Sequence, residues 1–297
     1  MTTDSIRATV ALVSVVGLAV ASSSAGAGPL LPLAPEETTA VDHGEVEAFL
    51  GVRYARNGRF PAFSPKGSLR SQDLVGLPQF GFHVGAGGWV EVQATFEMLL
   101  LDETFFDGRD NSQYGAGDAR LFTKVHVFAE RGALPAAGVR FGTKLPNGNR
   151  ADRLGTDETD FALETLFTKR WGGVGAHANL GILLLGNDGS TVPGFGTFAT
   201  DGQDDLFTWG LALEAPPLHD ALGPGRDLRL FAEARGWAGS RFQNDFSAAL
   251  VGLQAGSARW FAYAGVSAGL AGAAEDVGVR AGVVHRLRAW GKNGDAP

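Results

Sequence analysis

Val90-Glu91-Val92-Gln93-Ala94-Thr95-Phe96-Glu97-Met98 alternates without a break. Val90, Val92, Ala94, Phe96 and Met98 fall on one face and Glu91, Gln93, Thr95 and Glu97 on the other. A repeat of about 180° per residue fits an extended strand, whereas a helix would mix the two faces. The same alternation recurs in segments near residues 44–54, 74–84, 89–101, 118–130, 136–145, 158–169, 174–185, 205–215, 227–237, 246–255, 258–270 and 277–287. Twelve strands is an even number of the kind that closed transmembrane barrels use.

The connections carry a second pattern. They are long at 55–73, 102–117, 146–157 and 186–204, and short at 85–88, 131–135 and 170–173. A Pro-containing connection at 216–226 breaks this rule once, before 238–245, the tight Gly256-Ser257 turn and 271–276. Long loops on one side and tight turns on the other suit a meander of hairpins in an outer-membrane barrel, with both termini and the short turns toward the periplasm.

Which face is wet follows from the charges. One face carries Val46, Leu50, Val52, Leu121, Val125, Val127, Val139, Phe141, Phe161, Leu163, Leu180, Ile182, Leu184, Leu228, Leu230, Val251, Leu253, Val279 and Val283. The other carries Glu47, Arg53, Glu91, Glu97, Arg120, Lys124, Arg140, Lys144, Asp160, Glu164, Glu214, Arg229, Glu233, Arg235, Arg259, Arg280 and Arg286. Arg or Lys facing lipid at the midplane costs about 2–4 kcal/mol, so the charged face is expected inside, with His83, His126 and His177. Glu91 and Glu97 lie on the strand beside Arg120 and Lys124, and Arg140 and Lys144 on the strand beside Asp160 and Glu164. Such pairs reinforce a barrel wall, and their excess of Arg would also favour anionic solutes.

Tryptophan placement points the same way. Trp89, Trp171, Trp260 and Trp290 fall at strand ends on the short-turn side, and Trp209 and Trp237 near strand ends on the long-loop side. They are expected to form two interface girdles. Phe122, Phe128 and Phe231 instead share the parity of the inward face. A soluble sandwich or lipocalin-like barrel also alternates, but buries its apolar face and leaves the Trp distribution without a reason.

Composition narrows the classes further. The 297-residue chain has no Cys, which excludes a disulfide framework, a thiolate metal site and a cysteine nucleophile. A net charge of -7, with no basic stripe, argues against nucleic acid as a partner. The 43 Gly follow no G-X-Y period, and the mean hydropathy of +0.02 averages two opposite faces.

At the N-terminus, Arg7, the apolar run 8–20 and the small residues ending in Ala25-Gly26-Ala27 form the three parts of a cleaved signal peptide over 1–27. A periplasmic lead-in at 28–43, a barrel at 44–290 and a tail at 291–297 complete the division. No later stretch is long and apolar enough for a membrane helix.

Several short elements carry a family resemblance: Gly115-Ala116-Gly117-Asp118-Ala119-Arg120-Leu121, Gly138-Val139-Arg140-Phe141-Gly142-Thr143-Lys144-Leu145-Pro146-Asn147-Gly148-Asn149, Thr156-Asp157-Glu158-Thr159-Asp160-Phe161, His177-Ala178-Asn179-Leu180-Gly181 and Asp276-Val277-Gly278-Val279-Arg280-Ala281-Gly282-Val283. Together, over residues 44–287, they resemble the MetA-pathway phenol-degradation family of transporter-like outer-membrane proteins. The resemblance implies a porin-like barrel and a role in uptake of aromatic compounds. Barrels of this kind finish on an aromatic residue read by the assembly machinery; Trp290 would fill that place, but residues 291–297 extend beyond it.

No constellation for covalent chemistry stands out. None of the His residues has metal-ligand spacing or adjoins a Ser in a nucleophile elbow, and the loop acids Asp188, Asp201, Asp204 and Asp205, like Asp102, Glu103, Asp107 and Asp110, lack the spacing of a calcium loop. The expectation is an outer-membrane barrel in contact with lipid, without metal, cofactor or catalytic residue, that passes small solutes. A structural or adhesion barrel with a plugged lumen, and a barrel-embedded lipid-modifying enzyme, are the rivals.

Overall fold

The computed structural model describes residues 37–58, 69–155, 157–186, 205–239, 245–272 and 274–290; the expected signal peptide and C-terminal tail lie outside them. Among the described residues thirteen strands make up the wall: β1 (Glu45–Arg56), β2 (Leu69–Gly85), β3 (Val90–Phe105), β4 (Asp110–Ala116), β5 (Ala119–Phe128), β6 (Ala136–Leu145), β7 (Asp160–Trp171), β8 (Val174–Leu184), β9 (Asp205–Glu214), β10 (Asp227–Ala238), β11 (Phe246–Gly256), β12 (Trp260–Gly272) and β13 (Val277–Arg288). All neighbours are antiparallel, and β1 pairs with both β2 and β13, so the meander closes on itself.

Thirteen strands occupy twelve wall positions. β3 pairs with β5 through residues 90–95 and with β4 through residues 98–104, so β4 and β5 are two pieces of one position, parted at Gly117-Asp118. The sequence places a loop at 102–117; in the structure β3 runs on to Phe105 and returns as β4. Asp110-Asn111-Ser112-Gln113-Tyr114-Gly115-Ala116 has no apolar face because hydrogen bonds to β3, not burial in lipid, hold it extended.

The two faces separate by chemistry. Leu50, Phe82, Leu121, Phe141, Leu163, Leu180, Ile182, Leu211, Leu213, Leu230, Val251 and Val279 are exposed on the outside, while Glu47, Glu91, Gln93, Glu97, Lys124, His177 and Glu214 are buried within. Strands of 10–12 residues are long enough to cross an apolar band when tilted. This is a closed antiparallel β-barrel with an inverted hydrophobic pattern.

The inward aromatics are seated on glycine. Phe49 stands directly across from Gly81, Phe122 from Gly142, Phe231 from Gly252 and Tyr263 from Gly282. A β-carbon at Gly142 or Gly252 would lie 2.5 Å from the facing ring, so the missing side chain is what lets each ring lie against the wall. Phe128 departs from the sequence expectation: the ladder slips between His126 and Phe128, and its ring is exposed.

At the end opposite the short turns, β2 and β3 run on together as a ladder to Leu69 and Phe105. Leu74, Leu99 and Leu101 toward this end form an apolar cluster with Leu154 from the β6–β7 connection. Arg153 reaches Glu103 at 3.1 Å and the Gly148 amide donates to Asp118 at 2.9 Å, so that connection is fastened against the inner face.

Candidate functional site

The lumen is built by charged residues at every second position of neighbouring strands, and β-register decides which meet. Glu91 on β3 stands directly opposite Lys124 on β5, with Nζ 3.0 Å from Oε2. Arg140 on β6 faces Glu164 on β7 at 2.6 Å, and Lys144 faces Asp160 at 2.7 Å, with Asp118 3.4 Å from the same ammonium. Glu97 accepts two hydrogen bonds from Arg53, at 2.8 and 2.9 Å, and lies 3.6 Å from Arg120. Arg235 and Glu233 are neighbours on β10, 3.9 Å apart, and Glu47 pairs with Arg286.

Accessibility sorts these pairs by sign. Arg120 retains 39% of its side-chain exposure, while Glu97 retains 2%. The carboxylate is likewise the more deeply buried partner in Arg53–Glu97, Arg235–Glu233, Arg286–Glu47 and Arg170–Glu214. A short carboxylate side chain stays at the wall, whereas guanidinium on a longer stem reaches into free space. Arg140–Glu164, Lys124–Glu91 and Lys144–Asp160 are buried about equally on both sides and do not follow this sorting. Arg53, Arg120 and Arg235 project from three separate strands, and the first two lie within electrostatic reach of Arg235.

The short-turn end holds a feature absent from the sequence expectation. Residues 37–42, expected as a lead-in beneath the barrel, run inside its mouth as a strap. The Thr38 amide donates to Thr168 Oγ1 at 3.0 Å, Arg170 donates to Glu37 at 2.7 Å, and the Val41 amide donates to Glu91 at 2.8 Å. The strap therefore passes from β7 to β3. His126 Nδ1 lies 3.3 Å from the Thr38 carbonyl oxygen, which can only accept, so that nitrogen carries the proton of the bond. Thr38 is fully buried, and Ala40 and Val41 nearly so.

The three inward histidines surround this strap. His83 Nδ1 is 3.1 Å from Glu91, and His177 Nδ1 is 3.1 Å from Thr168 Oγ1 with its Nε2 3.7 Å from Glu214. Glu91 thus collects Lys124, His83, Gln93 and the Val41 amide around one buried carboxylate. Thr168, His177 and Glu214 stand in the order hydroxyl, imidazole, carboxylate, but Thr168 is buried and its oxygen already receives the Thr38 amide. A substrate carbonyl has no approach to it. Among the described residues no group of three potential ligands could hold a metal.

No family model matches the sequence, and no curated protein matches it. The fold has counterparts among solved structures. An outer membrane channel from Pseudomonas putida F1 superposes with a TM-score of 0.58 at 12% identity, covering 86% of this chain and 100% of the channel. The barrel has the fold of an outer-membrane channel. The translocator domain of the autotransporter NalP from Neisseria meningitidis (TM-score 0.48, 13% identity, 82% of this chain and 88% of that one) and the NanC porin (TM-score 0.44, 9% identity, 82% and 100%) are more distant.

Within this channel fold, two residues expected in the lumen or girdle stand elsewhere. Arg259 shares the parity of Phe261, but β12 starts only at Trp260, so Arg259 is exposed in the turn, within electrostatic reach of the outward His285. Trp237 lies on the Arg235 face of β10 and stacks on the buried Phe246 with centroids 4.2 Å apart, so it does not join the outer aromatics. Trp89, Trp171 and Trp290 are exposed, Trp260 stacks on His285 at 3.7 Å, and Trp209 covers Gly236 from outside. Arg229 and Arg280 share the parity of inward neighbours on their strands. The strap residues Glu37, Thr38 and Val41, together with Thr168 and Arg170, were missed by sequence reasoning. They carry no periodic signal, since their partners lie 50 to 133 positions away.

Proposed function

We propose that this barrel resides in an outer membrane and gives small solutes a passive, selective path, with anionic solutes favoured. The supporting observation is the sorting of lumenal ion pairs: carboxylates lie in the wall and Arg53, Arg120 and Arg235 present guanidinium to the interior. A solute crossing the lumen would pass these guanidinium groups, and side chains of one sign that reach into a pore select by charge. The channel fold agrees with this reading, and the resemblance to the phenol-degradation family makes aromatic carboxylates the first solutes to try. The expected signal peptide and assembly by the outer-membrane machinery through Trp290 belong to the same proposal.

Planar-bilayer recordings test it. Discrete conductance steps with a reversal potential favouring the anion are expected, and Arg120→Gln with Arg235→Gln should move that potential toward neutral. Silent bilayers, together with liposomes that do not swell in sugars or aromatic acids, would overturn the reading. The strap favours one rival, a plugged structural barrel. If the protein is silent and remains so without residues 37–42, the plugged barrel is the better account.

A further inference from the structure

The β9–β10 connection is the one short-turn-side segment that broke the alternation of loop lengths, and the structure shows what its extra residues build. Leu218 bridges to Leu228 and Ala221 to Gly223, folding the connection back under β10 and β11. A cavity of about 320 Å³ lies between it and the barrel interior, lined by Arg229, Gln254, Phe261, His219, Asp220 and Asp227 among others.

Two of these side chains are set for a ligand. Arg229 and Gln254 stand directly opposite each other on β10 and β11. Gln254 is 6% exposed, and its Oε1 has no hydrogen-bond partner. A buried amide oxygen left without a donor costs stability, so it marks a place for a donor to fill. Among the described residues no carboxylate lies within ion-pair distance of Arg229, although Glu214 is within its electrostatic reach. The two cavity acids are engaged locally. Asp227 accepts from His219 at 3.0 Å and from the Asp220 amide at 3.3 Å, and Asp220 accepts from the Gly225 amide at 2.6 Å. Phe261 supplies an apolar wall.

We propose that this cavity is a solute-binding site for a small carboxylate that also carries an O–H or N–H donor, a hydroxy acid or an amino acid. The carboxylate lies on the Arg229 guanidinium, which offers two parallel donors, and the ligand's own donor fills the Gln254 oxygen. A carboxylate without a donor leaves that oxygen unfilled and binds more weakly. The proposal rests on the channel reading for the route by which solute arrives, and it makes the cavity a last stop on the short-turn side.

The full-length barrel in detergent, with glycolate, glycine and acetate as probes, tests this by calorimetry or ligand-observed NMR. Glycolate or glycine is expected to bind several-fold more tightly than acetate, the ratio that one hydrogen bond of about 1 kcal/mol gives. Which of the two binds better separates hydroxy from amino acids. Gln254→Leu should abolish the preference over acetate while leaving acetate binding in place, and Arg229→Gln should weaken all three about tenfold or more, as loss of a charge-assisted pair does. Different gel mobility with and without boiling establishes that each variant is folded. Equal affinity for acetate and glycolate, or no binding to the folded wild type, overturns the site. Conductance on the same samples keeps the two readings apart: conductance without binding sinks only the cavity, and binding without conductance sinks only the channel.

Discussion

Glu91 and Lys124 face each other across β3 and β5 at 3.0 Å, and each is about 1% exposed. Removing one member of a buried pair leaves an uncompensated charge and costs about 3–5 kcal/mol, whereas replacing both with apolar groups of similar size is far milder. Lys124→Met is therefore expected to lower the urea midpoint of the folded barrel sharply, and Glu91→Leu with Lys124→Met to recover much of the loss. Glu91 also anchors the strap through the Val41 amide, so the double variant should still release residues 37–42 to protease. A strap equally protected in the double variant would show that its other bonds suffice.

Leu211 is exposed near the middle of β9 and separates a membrane barrel from a soluble one. In lipid, Leu211→Arg is expected to cost about 2–4 kcal/mol relative to Leu211→Ala, because the charge faces hydrocarbon. On a water-facing surface the same change would fall within about 0.5 kcal/mol. Unfolding in phospholipid vesicles decides between them, and equal stability of the two variants would remove the lipid-facing assignment.

Strand alternation is legible in this sequence because lipid and a charged lumen demand opposite chemistry of adjacent residues, as Phe161 and Asp160 show. The twelve wall positions and the Arg140–Glu164 and Lys144–Asp160 pairings follow from that alternation and from neighbouring order. β4 is not legible, since both its faces are polar and only β3 holds it. Arg259 shows that parity stops at the last ladder residue. The inward Phe residues carried a readable signal in the glycine facing each on the next strand, as Gly252 faces Phe231, but only once register is known. The strap is invisible because Thr38 and Val41 are placed by single hydrogen bonds to Thr168 and Glu91, far along the chain.

Glu130, in the β5–β6 connection, gives a pH signature at the short-turn end. Its carboxylate accepts from Lys169 at 2.6 Å and from the Arg170 amide at 3.0 Å, and the Lys169 hydrogen bond above all holds its pKa below the ordinary 4.5. A depressed pKa means the folded state prefers the charged form, so the stabilisation is fully present above the ordinary value and disappears as pH falls through the lower folded-state value. The Arg170 amide should keep its hydrogen-exchange protection factor at neutral pH and lose it only below about pH 4.5. Glu130→Gln should flatten that transition. A loss of protection between pH 6 and 8 would assign control of this amide to another group.

Gly142 and Phe122 test whether the inward rings need bare backbone beside them. A β-carbon at Gly142 would lie 2.5 Å from the Phe122 ring and also close to the Leu121 carbonyl, so the ring cannot keep its place beside a larger residue. Gly142→Val is expected to destabilise by about 1–3 kcal/mol, as overpacking does. Arg140 lies over the same ring, 4.7 Å from its centroid, so displacing Phe122 should also disturb the Arg140–Glu164 pair. If the clash is with the ring, Phe122→Ala in the Gly142→Val background recovers part of the stability, and the two changes are non-additive because the residues touch. Strict additivity in the double-mutant cycle would place the cost of Gly142→Val in the Leu121 carbonyl contact and leave the ring without a role in selecting glycine.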